Sequence, residues 1–138
     1  DSSARFRALL SPWLDFPDFR NMSILDYGCG LGHLIPHIEK LHNQLESRYT
    51  FVTLSQHGVQ LYDGQTHHHH PAHLRNIADV SGAGDTVIAT TCLCLICGAS
   101  PHIIAAVANL AGGLVCEQPG VVSINKQKLL EEALQLIS

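Results

Sequence analysis

The sequence predicts an α/β fold: a layered, mostly parallel sheet with flanking helices, formed as one compact domain. Short apolar runs alternate along the chain with longer segments whose apolar residues recur every three or four positions. A length of 138 residues fits one domain. Hydrophobic residues make up 46% of the chain and charged residues only 14%, which indicates a large interior.

The first half of the chain predicts four strands and one helix. Ser23 to Tyr27 is a short apolar run followed by glycines, which is typical of a buried parallel strand. Residues 33–45 predict a helix that begins close to Pro36, because proline fits only the first turn. Three further strands are expected, at residues 50–54, 59–62 and 67–71.

The second half predicts three helices, at residues 86–97, 101–115 and from Asn125 onwards. Gly98 is placed to end the first of these helices. Ser100 as N-cap and Pro101 at the first helical position predict the start of the second. Between the second and third helices, residues 120–124 predict a loop or a short strand.

Charge and hydropathy exclude two classes of partner. The net charge is −4 and no basic run occurs, so nucleic acid is not expected to bind. No stretch reaches 18 apolar residues and no signal peptide is visible, so no membrane span is expected.

The five cysteines, an odd number in apolar surroundings, predict reduced thiols in a cytoplasmic protein. Cys94 and Cys97 have redox or zinc spacing, but their apolar neighbours favour inert core residues.

The most specific string of the chain is Asp79-Val80-Ser81-Gly82-Ala83-Gly84-Asp85-Thr86. Glycines allow the backbone to approach an anion closely, and a helix that begins just after them adds its positive end. A carboxylate at Asp85 would then lie beside a bound phosphate and could accept a proton from an attacking hydroxyl. The alternative is a glycine-rich helix start with an ordinary capping aspartate.

Residues 51–138 resemble the C-terminal half of PfkB-type sugar kinases, whose fold is ribokinase-like. The string from Asp79 to Asp85 resembles their second signature, and residues 52–59 resemble the strand and turn before it. Within that family, Ala72-His73 and Val80-Ser81-Gly82 are most similar to heptose-phosphate kinases. The resemblance implies ATP-dependent phosphoryl transfer to a sugar or sugar phosphate, with Mg²⁺ and a K⁺-like cation as cofactors.

The resemblance also implies roles for individual residues. Asp85 would be the catalytic base, and Gly82, Ala83 and Gly84 would bind the transferring phosphoryl group. The nucleotide would further contact Ser55 and Gly58, in the turn after the second strand, and Asn109, beside the adenine. The cation would be held with the help of Asp79, Ser81 and Ser123, the last in a loop at residues 117–123 that resembles the adenine-closing segment.

This sequence departs from the kinase pattern in two respects. Such kinases are about twice as long, and their sugar-binding N-terminal half is not visible here. Asn43 and Glu46 have the spacing of the family's magnesium-ordering motif, but they lie too close to the next strand and are interpreted as helix surface. We therefore expect nucleotide as a partner, but inefficient sugar phosphorylation by this chain alone.

The first 50 residues resemble a different family. The string Ile24 to Gly32 is similar to the first motif of S-adenosylmethionine-dependent methyltransferases, with Asp26 as its acidic residue. That family has a ribose-binding acid after the next strand, where Thr53 and Ser55 stand here, so S-adenosylmethionine is not expected as a cofactor. Together the two resemblances predict a chimeric chain joined near residue 50.

Two further features allow competing hypotheses. Alternate histidines in the run from His67 to His70 share one face of a strand, so His67 and His69 predict either a metal site or a solvated strand. The excess of apolar over charged residues also allows a scaffold without catalytic activity that associates with itself as a homo-oligomer.

Overall fold

The computed structural model of the protein describes residues 37–73 and 75–137. The strand predicted at residues 23–27 and the methyltransferase-like motif lie outside these ranges. The helices are α1 (Ile38–Gln44), α2 (Ala83–Ile96), α3 (Pro101–Cys116) and α4 (Lys126–Ile137). The strands are β1 (Thr50–Thr53), β2 (Val59–Tyr62) and β3 (His67–His70), with a 3₁₀ turn at Ser55–His57.

The described strands form one antiparallel sheet in the order β1-β2-β3. Val52 lies opposite Gln60, and Leu61 lies opposite His68. The mostly parallel pairing expected from the sequence is therefore wrong for these strands. Each pair is joined by a short turn, whereas a parallel pair needs a crossover of a dozen or more residues.

Helices pack on both faces of the sheet, which gives the layers of an α/β fold. One core cluster lies between the sheet and α2 and α3, and it contains Phe51, Val59, Leu61, Val87, Ile104, Ala105 and Ala108. A second cluster of Ile38, Val52 and Leu54 lies between the sheet and α1. Adjacent residues of β1 thus point to opposite cores, as strand geometry requires.

Helices α2 and α3 pack closely because a glycine faces a branched side chain. A Cβ atom placed on Gly112 would lie 2.6 Å from Cγ2 of Val87, so no larger residue fits there without movement. The predicted start of α3 is confirmed, since the Ser100 hydroxyl accepts a hydrogen bond from the Ile103 amide at 3.5 Å and Pro101 follows.

Helix α4 covers the far end of α3. Leu110 and Leu114 of α3 pack against Ala133 of α4. Asn125 caps α4 as predicted, because its side-chain oxygen accepts a hydrogen bond from the Lys128 amide at 3.0 Å. Residues 120–124 form a loop without a strand.

The described part of the chain holds four free cysteines and no candidate membrane span. Within residues 37–73 and 75–137, no helix is both long and apolar enough to cross a bilayer. Cys116 is buried, Cys92 and Cys94 are half-buried, and Cys97 is exposed, so the core interpretation fails for Cys97. Burial raises the pKa of the Cys92, Cys94 and Cys116 thiols, which keeps them protonated and unreactive.

Candidate functional site

The glycine-rich string forms the start of α2. The helix begins at Ala83, three residues before the predicted start, and Gly82 is its N-cap in the left-handed conformation with φ 77°. Both the amide and the hydroxyl of Thr86 donate to the Gly82 carbonyl at 3.1 Å. Asp85 therefore belongs to the first helical turn, where its side chain is exposed beside the positive end of the helix.

Asp79 organises the turn that leads into the helix. Its Oδ1 atom accepts hydrogen bonds from the Ser81 amide at 2.9 Å and from the Ser81 hydroxyl at 2.7 Å. The bonds from Ser81, followed by that from the Gly120 amide, lower the pKa of the Asp79 carboxyl. Asp79 and Ser81, two of the predicted cation ligands, are thus in direct contact.

The loop at residues 117–123 lies against this turn. The Gly120 amide donates to Oδ2 of Asp79 at 3.0 Å. A Cβ atom on Gly82 would lie 3.0 Å from Cγ1 of Val121, so the Val121 side chain covers the glycine. Ser123, the third predicted cation ligand, is exposed in the same loop. The structure therefore brings the glycine motif, Asp79, Ser81 and the loop of Ser123 together.

The turn between β1 and β2 is built on two residues with positive φ. Ser55 has φ 54° and Gly58 has φ 90°. The Gly58 carbonyl accepts from the Leu54 amide at 2.7 Å, and its amide donates to the Ser55 carbonyl at 3.0 Å. A Cβ atom on Gly58 would lie only 1.9 Å from the His70 carbonyl oxygen, so only glycine fits against the end of β3.

Asn109 is buried in α3 beside the same end of β3. Its side-chain amide nitrogen donates a hydrogen bond to the Pro71 carbonyl at 2.8 Å. Pro71 also lies next to Gly58. Two residues predicted to contact nucleotide, Gly58 and Asn109, thus lie against one segment at Pro71, Asn109 through its hydrogen bond and Gly58 through close backbone approach.

A cluster of ion pairs at the start of the loop at residues 117–123 was not predicted from the sequence. Arg75 pairs through Nη1 with Glu117 at 2.5 Å and through Nη2 with Glu132 of α4. Lys128 of α4 also pairs with Glu117, at 2.5 Å. These bonds raise the pKa of Arg75, chiefly through Glu132, and lower that of Glu117, chiefly through Lys128. The partners of Arg75 lie 42 and 57 residues further along the chain, so no local pattern predicts them.

The histidine run of β3 alternates between solvent and α3. His67 and His69 are exposed, whereas His68 and His70 are half-buried and face His102, whose ring centroid lies 4.7 Å from that of His70. His68 Nε2 pairs with Asp63 at 2.9 Å, and this hydrogen bond is the main reason that the pKa of Asp63 falls to about 2. Among the residues described, no three histidine, cysteine or carboxylate side chains converge to hold a metal ion.

The comparison with family models decides the family. The model described as "pfkB family carbohydrate kinase" matches residues 31–128, which is well over half of the chain. This chain belongs to the pfkB family of carbohydrate kinases. The matched range begins upstream of the join predicted near residue 50, and it includes residues 31–50, which were predicted to belong to the methyltransferase-like part.

Curated proteins with similar sequences agree with the family assignment. "Bifunctional protein HldE" of Methylobacillus flagellatus is 38% identical over 108 residues, which cover 72% of this chain and 22% of the relative. The protein of the same name from Stutzerimonas stutzeri is 34% identical over 129 residues, which cover 83% of this chain and 27% of the relative. The chain thus spans about a quarter of the length of these curated relatives.

Solved structures confirm the ribokinase-like α/β fold. Phosphofructokinase-2 from Escherichia coli in complex with potassium superposes with a TM-score of 0.74 at 14% identity, over 86% of this chain and 42% of that one. Ribokinase from Thermotoga maritima superposes with a TM-score of 0.63 at 21% identity, over 70% of this chain and 33% of that one. Both likenesses concern the fold alone.

Proposed function

We propose that this chain is the nucleotide-binding part of a PfkB-type carbohydrate kinase, with the phosphates of ATP at the start of α2. The observation that carries the proposal is the arrangement of Gly82, Ala83 and Gly84 at the N-terminus of a 14-residue helix, with Asp85 exposed in its first turn. Main-chain N–H groups at a helix start lack intrahelical partners and attract phosphate oxygens. Ser55, Gly58 and Asn109 would contribute to the same nucleotide site.

In the proposed reaction a sugar hydroxyl oxygen attacks the γ-phosphorus of ATP. The new P–O bond forms as the bond from that phosphorus to the bridging oxygen of ADP breaks, and the hydroxyl proton passes to the Asp85 carboxylate. The amides of Gly82 and Gly84 would stabilise the charge on the transferring group. The Ala83 amide, also predicted for this role, donates to the Val80 carbonyl at 3.2 Å in this structure. Positioning and charge stabilisation are the main contributions that phosphoryl transfer requires from a protein.

Cations are part of the proposal. A K⁺-like ion prefers oxygen ligands, and Asp79 and Ser81 place carboxylate and hydroxyl oxygens 2.7 Å apart at an exposed turn, with Ser123 in the adjoining loop. Mg²⁺ would neutralise phosphate charge when bound with ATP. Because no three histidine, cysteine or carboxylate side chains of the described residues are placed for a metal ion, we assign no residue of this chain to Mg²⁺.

The sugar or sugar phosphate would be held by a part of the parent enzyme that this chain does not match. The chain covers 22% of the first curated relative, and we place the proposed sugar site in a part of such a relative outside the match. Phosphoryl transfer requires two substrates held in line, and correct positioning accounts for roughly 7–11 kcal/mol of a barrier. We therefore expect this chain alone to be an inefficient kinase. A cytoplasmic location is consistent with its free cysteines.

Two alternatives rest on narrower observations. The methyltransferase-like string at residues 24–32 lies mostly outside the pfkB match, but its ribose-binding acid is absent, so we do not extend the proposal to S-adenosylmethionine or to a chimeric origin. Self-association is favoured by large apolar side chains on the surface, of which Leu93 is 63% exposed and Leu134 62% exposed. A strictly monomeric chain in sedimentation at high concentration would exclude that homo-oligomer.

Isothermal titration calorimetry with ATP and Mg²⁺ tests the proposed function. We expect saturable binding at millimolar nucleotide or below, unchanged in Asp85→Asn, which keeps the shape of the side chain. Absence of binding by folded protein would refute the proposal.

A further inference from the structure

Arg75 is the most enclosed charged side chain in the described part that forms more than one ion pair. Only 11% of its side chain is exposed, and Nη1 and Nη2 pair with Glu117 and Glu132 respectively. Its Nε atom is buried without a hydrogen-bond partner, close to the position that a Cβ atom on Gly113 would occupy. Loss of either carboxylate partner would leave this nearly buried charge incompletely compensated, which is costly.

The two partners of Arg75 belong to different elements. Glu117 follows the last residue of α3 and begins the loop at residues 117–123, whereas Glu132 lies in the middle of α4. Lys128 of α4 also binds Glu117, so the start of the loop is fixed from two sides. The guanidinium therefore ties the loop to the C-terminal helix.

The segment that carries Arg75 leads directly to the glycine motif. The amides of Ala78 and Asp79 both donate to the Cys116 carbonyl, at 2.8 and 3.2 Å. Three residues beyond Glu117, the Gly120 amide binds Asp79. One closed set of contacts thus links Arg75, the loop, Asp79 and the start of α2.

We propose that Arg75 is a positioning residue that fixes the loop at residues 117–123 over the glycine motif and couples α4 to the nucleotide site. The proposal rests on the proposed function for its effect on ATP, but its effect on the loop is independent of ATP. The ion-pair partners of Arg75 are Glu117 and Glu132, neither of which is assigned to the phosphates. Its action on them passes through Glu117, Gly120 and Asp79.

Hydrogen–deuterium exchange with Arg75→Met tests the structural half of this proposal, since methionine keeps an apolar stem and loses both ion pairs. We expect faster exchange confined to residues 117–123 and 79–86, with residues 50–62 unchanged. Lys128→Met, which removes only the more exposed partner of Glu117, is the matched control and should have a smaller effect. Unchanged exchange, or an increase spread evenly over all segments, would overturn the proposal.

ATP titration of the same variants tests the functional half. Arg75→Met should weaken ATP binding about tenfold, in the range of mutations that act through a packed network, and Arg75→Lys should recover part of the loss. If Arg75→Met does not fold, Glu132→Gln cuts the link to α4 alone and should show the same pattern at smaller amplitude. Wild-type protein that fails to bind ATP would refute the proposed function, while the exchange pattern would still decide the role of Arg75. Equal ATP affinity of wild type and Arg75→Met would overturn the coupling.

Discussion

Asp79 accepts a hydrogen bond from the main-chain amide of Gly120, 41 residues further along the chain, at 3.0 Å. The same carboxylate binds both the amide and the hydroxyl of Ser81. One side chain therefore joins the loop at residues 117–123 to the turn that opens α2. The candidate site depends on this junction, because the glycine motif alone would be an ordinary helix start.

Replacement of Asp79 by alanine should separate the loop from the glycine motif. We expect ATP binding to weaken about tenfold, as for the loss of a hydrogen bond to a charged group, and the Gly120 amide to exchange faster with solvent. Asp79→Asn keeps one acceptor oxygen and should lose less. Calorimetry and hydrogen exchange on both variants give the measurement, and wild-type affinity in Asp79→Ala would show that the junction does not shape the site.

Gly58→Ala should destabilise the fold far more than an alanine at another glycine with positive φ. At Gly58 the added Cβ would meet the His70 carbonyl at 1.9 Å, whereas at Gly98, with φ 72°, it would meet nothing within 4 Å. We expect Gly98→Ala to lower the free energy of unfolding by about 1 kcal/mol, the cost of a left-handed residue. Gly58→Ala should lower it by about 3 kcal/mol or more. Urea denaturation of both variants provides the comparison, and equal losses would contradict the close approach.

The elements were predictable where the pattern is local. The bounds of β2 match the prediction, and the caps at Ser100 and Asn125 are those that the sequence indicates, because strand and cap signals depend on neighbouring residues. The start of α2 was missed because Ala83, Gly84 and Asp85 follow a glycine and precede the apolar run. Contacts of Gly82 and Asp79 with a distant loop override that weak local propensity.

Two other features were not predictable from local pattern. An apolar strand has the same sequence pattern in a parallel and an antiparallel sheet, so the pattern of β1 and β2 does not show how they pair. The short turn between the two strands allows only the antiparallel arrangement. For the candidate site, the string from Asp79 to Asp85 was found from its residue types and spacing. The ion pairs of Arg75 were not found, because Glu117 and Glu132 are neighbours of Arg75 only in the folded chain.

Stability should fall as the pH drops below neutrality because of His70. Burial, followed by the nearby rings of His102, His69, His68 and His73, lowers its pKa from the ordinary value of 6.5. The unfolded chain then binds the proton first, so the stabilisation is complete above pH 6.5 and is lost as the pH falls towards the lowered folded value. Burial also lowers the pKa of His73, which acts in the same direction.

The measurement is the free energy of unfolding between about pH 7.5 and pH 5, a window around the ordinary histidine pKa. His70→Gln should make its decline with falling pH shallower than in the wild type. His37→Gln, at an exposed position outside β3, is the matched control and should keep the wild-type slope. An unchanged slope in His70→Gln would contradict the role of the buried ring.

The central claim is that this chain provides the nucleotide half of a phosphoryl-transfer site without an efficient sugar site. An assay of ADP release, with and without a panel of sugars and sugar phosphates that includes heptose 7-phosphate, tests it most directly. We predict ATP binding with at most a trace of ADP release that no sugar stimulates. Sugar-stimulated turnover that is abolished by Asp85→Asn would contradict the claim, because a complete sugar site would then have to be present in this chain or in an assembly of its copies.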